Sequence, residues 1–289
     1  MLKYITYRSC LATVYIGHMI LLMAPFFATG ILIKTDEWGK NMDNKKRPFL
    51  ETKEIYKSFG HVQALRGVSM NAYEGEVLAI VGDNGAGKST LIKILSGVLH
   101  PDSGLVRIDG KEYQDLTPRK AIEAGVSTVY QDLALGNTMD VASNLFLGSE
   151  LTKYGFLKKK KMNEEAKKLL NSLDIQIPDV TVPVGNLSGG QRQGVAVARL
   201  VHNGGKLLIF DEPTAAMGLN ESNAVLKLIK KLAGEGFTVI IISHNLPQVF
   251  YISDRICVMR QGKVIKELKT QDTTMDEVVS MITGAITTD

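Results

Sequence analysis

The 289-residue chain has two cysteines, Cys10 and Cys257, one tryptophan and eight prolines. Two cysteines outside any CxxC or Cys/His cluster exclude a disulfide-stapled secreted scaffold and a structural zinc site, and point to a reducing compartment. No charge excess stands out either. Against 30 Asp and Glu, 34 Lys and Arg give a net charge of +4, short of the basic surplus of a nucleic-acid-binding chain. Internal repeats and low-complexity linkers are missing, which excludes a solenoid and a string of tethered modules. What is present is core material. With 45% apolar and 22% charged residues the chain can build one large domain or two small ones, and disorder is excluded for most of it.

Charge is also missing locally. Leu11–Ile33 holds no Asp, Glu, Lys or Arg, and its 23 residues suffice to span a bilayer despite Gly17, His18 and Pro25. Lys3 and Arg8 precede it, and Lys34, Lys40, Lys45, Lys46 and Arg47 follow it, so as a span it would leave the C-terminal bulk in the cytoplasm. Three readings of residues 1–41 stand: a single-span anchor, a signal peptide, or upstream sequence ahead of a start at Met42, which opens a polar run. The expected organisation is an N-terminal extension over 1–48, a main domain over 49–270, and a tail over 271–289 with helical spacing at Met275–Ile282.

From about Phe49 apolar runs alternate with helical patterns, the mark of an α/β domain around a largely parallel sheet. Val77–Val81, Val126–Tyr130, Leu207–Phe210 and Thr238–Ile242 are expected as buried strands. Turn signals at Asp109-Gly110 and Arg260–Lys263 predict hairpins around Leu105–Ile108 and between Ile256–Met259 and Val264–Leu268. Over about 132–187 the strand signal fades into a helical insertion containing a lysine-rich helix at Lys158–Leu173. Its run Lys158–Lys161 would suit phosphate or anionic lipid, but is read first as a solvated face balanced in part by Glu164 and Glu165.

Gly82-Asp83-Asn84-Gly85-Ala86-Gly87-Lys88-Ser89-Thr90 fits G-x-x-x-x-G-K-[ST] and lies between a buried strand and a helical Leu91–Leu95. Glycines let backbone N–H groups close around phosphate oxygens where a helix N-terminus adds positive potential. Lys88 is expected on the β- and γ-phosphates of a nucleotide, and Ser89 on Mg²⁺. Downstream, Leu207–Phe210 ends in Asp211-Glu212. A strand delivers its terminal carboxylates to the sheet edge that carries the phosphate loop, so Asp211 suits Mg²⁺ and Glu212 suits polarising an attacking water. Hydrolysis is therefore expected as well as binding.

Ser188-Gly189-Gly190-Gln191, before the helical Arg192–Asn203, is a second glycine-bearing loop at a helix start, 23 residues ahead of Asp211. With the phosphate loop and Asp211-Glu212-Pro213, it makes the chain resemble the ATP-binding cassette family over about residues 49–270. The resemblance implies a P-loop NTPase, RecA-like core with an antiparallel β-subdomain and a helical insertion subdomain, using ATP and Mg²⁺. It implies that Phe59 stacks on adenine, that Gln131 touches Mg²⁺ and senses a membrane partner, and that His244 contacts the γ-phosphate. The Ser188–Gln191 loop of one cassette then closes on the ATP of a second, which implies two chains as a homodimer or a partner chain that carries the second cassette.

One position departs from the family. After Asp211-Glu212-Pro213-Thr214 the chain reads Ala215-Ala216-Met217-Gly218, with Gly218 where the family commonly has an aspartate at the dimer interface. This ending, with Val129–Leu135 and Asn144–Gly148, is similar to the ATPases of bacterial monosaccharide importers, especially the single-cassette fructose type. That implies permease subunits, a periplasmic sugar-binding protein, and a peripheral place on the cytoplasmic face of the bacterial inner membrane, with no nucleic-acid partner. The alternative is a soluble cassette ATPase acting on nucleic acid or ribosomes; a binding regulator without turnover is disfavoured by the presence of Glu212 and His244.

Overall fold

The computed structural model describes residues 47–215 and 217–285; the apolar stretch 11–33, the Met42 run and Ala216 lie outside the described residues. Two long strands, β1 (Pro48–Phe59) and β2 (Val62–Tyr73), form an antiparallel hairpin. β1 also pairs β4 (Ser103–Ile108), which turns at Asp109-Gly110 into β5 (Lys111–Tyr113), so this sheet runs β2-β1-β4-β5. The 12-residue β1 is interrupted by register shifts near Thr52–Ile55, where Glu54 takes φ 47°. Such bulges break the period-2 pattern by which a strand is recognised.

The central sheet has six strands in the order β12-β11-β3-β10-β9-β6. β3 (Val77–Val81), β6 (Val126–Val129), β9 (Leu207–Asp211), β10 (Thr238–Ile242) and β11 (Arg255–Arg260) run parallel, and β12 (Lys263–Lys269) closes the edge antiparallel to β11. Continuous apolar runs such as VLAIV and TVIII suit strands covered on both faces. Alternate side chains feed two cores. Val77, Ala79, Val81, Leu208 and Phe210 face the helical side, while Leu78, Ile80, Leu207 and Ile209 face α1 (Lys88–Leu95) and the antiparallel sheet. Cys257 is fully buried in the second core, and burial pushes its thiol well above the usual range.

After α2 (Pro118–Glu123), the insertion carries α3 (Val141–Leu145), the small hairpin β7 (Thr152–Lys153) and β8 (Phe156–Leu157), and α4 (Lys159–Ser172). The hairpin departs from the all-helical expectation. α5 (Gly189–His202), α6 (Leu219–Gly234), α7 (Leu246–Ile252) and α8 (Met275–Thr283) cover the helical face, with Val278 and Met281 of α8 in its core. Several boundaries shift by a residue or more from expectation, α5 and β6 among them. α5 begins at Gly189 rather than Arg192, because Ser188 and Gln191 form a reciprocal capping box that outweighs the poor helix propensity of two glycines. β6 stops at Val129, one residue short of Tyr130, whose hydroxyl lies 2.7 Å from Ser96 Oγ.

Candidate functional site

The loop between β3 and α1 needs its glycines for two separate reasons. Gly82, Gly85 and Gly87 take φ of 155°, 83° and 100°, values that L side chains rarely adopt. A Cβ on Gly82 would also lie 2.1 Å from the Met259 carbonyl oxygen of β11, and one on Gly87 would lie 2.7 Å from Ala64 O. The loop is thus threaded between the two sheets, where only bare backbone passes. Gly87 caps α1 with no side-chain acceptor, so the first N–H groups of that helix are open to an anion.

Lys88 folds back over this mouth, its Nζ donating to Gly82 O at 2.6 Å and Asp83 O at 3.0 Å. Burial lowers its pKa, while Glu212, Asp83 and Asp211 hold the charge in place. Ser89 and the side of the loop at Asp83–Gly85 are exposed. Among the described residues no group of three or more His, Cys, Asp or Glu is gathered to hold a metal by itself. The hydroxyl of Ser89 and the carboxylate of Asp211 are oxygen donors of the kind that suits Mg²⁺, which takes few protein ligands and fills its shell with phosphate and water.

β9 ends in the same place. The Asp211 carboxyl is raised by burial and by the Glu212 charge, against the lowering influence of Lys88 and Lys93. A raised folded value means that Asp211 favours folding at low pH and loses that advantage as pH rises through the raised value. Near neutral pH the ionised carboxylate is a cost to the protein without a cation. Asp211→Asn is accordingly expected to raise the melting temperature of nucleotide-free protein while abolishing ATP turnover; a lower melting temperature in calorimetry at neutral pH would refute the assigned strain.

Glu212 stands in the left-handed region at φ 51°, unusual for a side-chain-bearing residue, and its N–H donates to Ile242 O at 3.0 Å. That turn aims its carboxylate at β10, where Oε1 pairs with His244 Nδ1 at 2.9 Å. His244 is 78% exposed, which leaves its ring accessible from solvent. Glu212 also lines a cavity of about 380 Å³ together with Gln131, Gly189, Arg192 and Gln193. The structure thus brings Gly82–Thr90, Asp211, Glu212 and His244 to one sheet edge and sets Gln131 and Gly189 on a wall shared with Glu212.

Phe59 and the Ser188–Gln191 loop, of which Gly189 alone lines the Glu212 cavity, are the remaining expected residues. Phe59, at the tip of the first hairpin, is 49% exposed under the Lys57 ammonium, so its ring is no core side chain. Ser188–Gln191 make no hydrogen bond to the phosphate loop among the described residues. Ser188 Oγ accepts from Gln191 N, and Gln191 Nε2 donates to Gln176 O at 3.2 Å.

Sequence reasoning passed over the residues that hold the Gln131 loop. Arg199 of α5 donates to Leu133 O at 2.9 Å and Ala134 O at 3.0 Å, its pKa lowered by burial. The buried Asn144 side chain donates to the carbonyls of Gly136, Met139 and Asp140 and accepts from Gly136 N at 2.8 Å. The signal was an Arg and an Asn inside apolar helical runs, where each needs acceptors to be tolerated. α5, which Ser188 caps, therefore grips the segment after Gln131 directly.

Residues 65–215 match the ABC transporter family. Among curated proteins the chain is similar to a xylose/arabinose import ATP-binding protein, XylG, from Sulfolobus acidocaldarius, at 49% identity over 81% of this chain and 94% of that protein. The fructose import ATP-binding protein FrcA of Rhizobium meliloti is 43% identical over 83% of this chain and 95% of its own length. Against the ribose import ATP-binding protein RbsA of Clostridium tetani, 40% identical, the chain spans about half, 49%, of that protein. A nucleotide-free ATP-binding cassette from an ABC transporter superposes with TM-score 0.71 at 29% identity, covering 82% of this chain and 96% of that one. A dimeric post-hydrolysis cassette bound to ADP and Pi gives TM-score 0.66 at 27% identity, over 78% and 100%.

Proposed function

The chain belongs to the ABC transporter family of ATPases, and from that premise we propose that it is the ATP-hydrolysing subunit of a monosaccharide importer. The family hydrolyses ATP to drive transport. The sugar assignment is supported by the import ATP-binding relatives, and the hydrolytic assignment by one observation above all: the Glu212–His244 pair at the strand edge beside the open phosphate loop. Residues 49–270 are assigned as the nucleotide-binding domain, with 132–187 as its helical insertion and 1–48 and 271–289 outside the catalytic machinery.

In this reading the backbone N–H groups of Gly82–Thr90 and the Lys88 ammonium hold the ATP phosphates, and Phe59 stacks on the adenine. Mg²⁺, when bound by Ser89, Asp211 and Gln131, neutralises charge on the β- and γ-phosphates. Glu212 orients and polarises the attacking water, and His244 leaves its carboxylate to reach the γ-phosphate. Ser188–Gln191 of a second copy completes each site, which accounts for their lack of any hydrogen bond to the phosphate loop of their own chain. Closure of two cassettes on two ATP molecules would move permease subunits through the Gln131 loop, which Arg199 ties to α5.

Sugar then contacts only the permease and a periplasmic binding protein, and this chain sits at the cytoplasmic face of the membrane. No observation favours the alternative of a soluble ATPase acting on nucleic acid. The test is co-purification of the Glu212→Gln protein from its native cell with ATP and Mg²⁺. A multi-span permease, with a binding protein whose bound ligand is a pentose or hexose, is expected; ribosomal or DNA-repair components without a permease would overturn the importer.

Gly218 bears on coupling. It is the N-cap of α6 yet offers no side-chain acceptor, and a Cβ there meets nothing within 4 Å. Gly218→Asp should therefore fit, raise stability by a few tenths of a kcal/mol through capping, and alter the cooperativity of ATP hydrolysis in the dimer. A clear loss of thermal stability would show that this turn is more crowded than its open surroundings imply.

A further inference from the structure

The β7–β8 hairpin has an apolar tip that is exposed among the described residues. Every residue from Thr152 to Lys158 is exposed, with Tyr154 at 90% and Phe156 at 80%. The two-residue strands pair only Thr152 with Leu157 and Lys153 with Phe156, and Lys158 N donates to Leu151 O at 2.7 Å to close the base. Tyr154 and Gly155 both have positive φ, 52° and 82°. A two-residue turn of that kind favours Asn-Gly, so an aromatic at its first central position is held there against its own backbone preference. Two rings and Leu157 are thus kept in water at a site where polar residues would serve the fold better.

The charge around the tip has the same character. From Leu151 to Met162 the chain carries Lys153, Lys158, Lys159, Lys160 and Lys161 and no acid. Lys159 is engaged, donating to Asp140 and Ser143. Lys153, Lys158, Lys160 and Lys161 form no salt bridge among the described residues, and Lys153 lies over the Tyr154 ring at 5.4 Å. Lys158 is the N-cap of α4 and the next three lysines fill its first turn, which has no acidic residue. That is the end of a helix where positive charge is disfavoured by the macrodipole. Uncompensated cations at the wrong helix end, beside unburied aromatics, call for an external anionic and apolar surface.

We propose that this hairpin is a membrane-surface anchor, its Tyr154, Phe156 and Leu157 side chains entering the interface of a bilayer while Lys153, Lys158, Lys160 and Lys161 meet anionic lipid headgroups. Tyrosine is favoured at the water–hydrocarbon boundary, and basic residues near an anionic leaflet add to apolar insertion. A convex tip of this kind needs only a lipid interface, whereas a protein partner would need pockets shaped to each ring. The proposal is independent of the sugar and of ATP turnover, and it orients the cassette on the membrane through the hairpin alone.

The full chain with Phe156→Trp tests this directly, since Trp38 is common to parent and variant and the difference emission reports position 156 alone. With vesicles of mixed phosphatidylcholine and phosphatidylglycerol the difference emission should shift to the blue and be quenched by lipids brominated near the headgroup. With phosphatidylcholine alone it should stay that of a ring in water. Exchanging Lys158, Lys160 and Lys161 together for Glu should weaken the phosphatidylglycerol response roughly 100-fold. This variant places acids in the first turn of α4, which favours the helix, and retained ATPase activity reports its fold. Co-sedimentation with an unshifted difference emission would assign membrane binding to other residues and overturn the proposal. So would an undiminished response in the triple variant, or a shift that appears only in membranes containing a permease, which would make the tip a protein contact.

Discussion

Replacing Glu212 with Gln is expected to lower ATP turnover about a thousandfold while leaving nucleotide affinity within a few-fold of the parent. The amide keeps the volume and can still pair with His244 Nδ1, now held at 2.9 Å, but it cannot polarise water. The phosphate loop, Lys88 and Ser89 are untouched, so binding persists while the step that reopens the dimer is removed. ATP should therefore convert the variant to a stable dimer visible by light scattering. A variant that hydrolyses ATP at the parental rate would remove Glu212 from the mechanism. One that stays monomeric with saturating ATP would instead show that this cassette requires a different partner to close.

Gly82→Ala is expected to be the more damaging change to the molecule as a whole. Alanine must adopt φ 155°, and its Cβ would sit 2.1 Å from the Met259 carbonyl, a backbone atom in the central sheet. Neither side can yield by rotating a side chain. The loop must move off β11 or the strand must shift, at a cost of about 3 kcal/mol or more. Because Gly82 O is also the 2.6 Å acceptor for Lys88 Nζ, the displacement carries the lysine with it. Calorimetry should show a lowered melting temperature and ATP binding should be lost. Gly85→Ala is the informative contrast, for a Cβ there meets nothing within 4 Å and only the φ of 83° is strained. Equal damage from both substitutions would mean that φ alone, and not the close approach to β11, governs this loop.

The contrast between these two positions separates what was legible in residue order from what was not. Both glycines are marked by the same spacing rule, because a phosphate loop is made by consecutive residues and its chemistry is local. The rule carries no information on what lies across from each. Met259 lies 177 residues downstream of Gly82, and only the parallel pairing of β11 beside β3 places its carbonyl there. The strand-end carboxylates Asp211 and Glu212 were likewise readable from an apolar run followed by acids. The turn at φ 51° that swings Glu212 toward His244 was not, since side-chain-bearing residues take that conformation only when their surroundings impose it.

The insertion shows the opposite balance. Its helices follow from a 3.6-residue pattern, but its hairpin is too short and too exposed to leave a periodic trace, and so the lysine run read as an ordinary solvated face. Asn144 of the insertion and Arg199 of α5 looked like polar interruptions of helical patterns. Folding gives them their meaning by bringing Arg199 to carbonyls 65 and 66 residues away and by wrapping the loop over 136–140 around the buried amide of Asn144.

The sequence by itself thus determined the parts whose physics is contained in a few consecutive residues: the glycine-rich loop between β3 and α1, the buried strands of the central sheet, and the acids that end β9. Tertiary structure alone decided which backbone the loop must clear, that Glu212 pairs with His244, how α5 grips the Gln131 loop, and that an aromatic tip stands exposed beside lysines of which, among the described residues, only Lys159 has an ion-pair partner. Hydrogen bonds and steric contacts depend on positions in space, and residues far apart in the chain acquire those positions only when both cores have closed around the sheet.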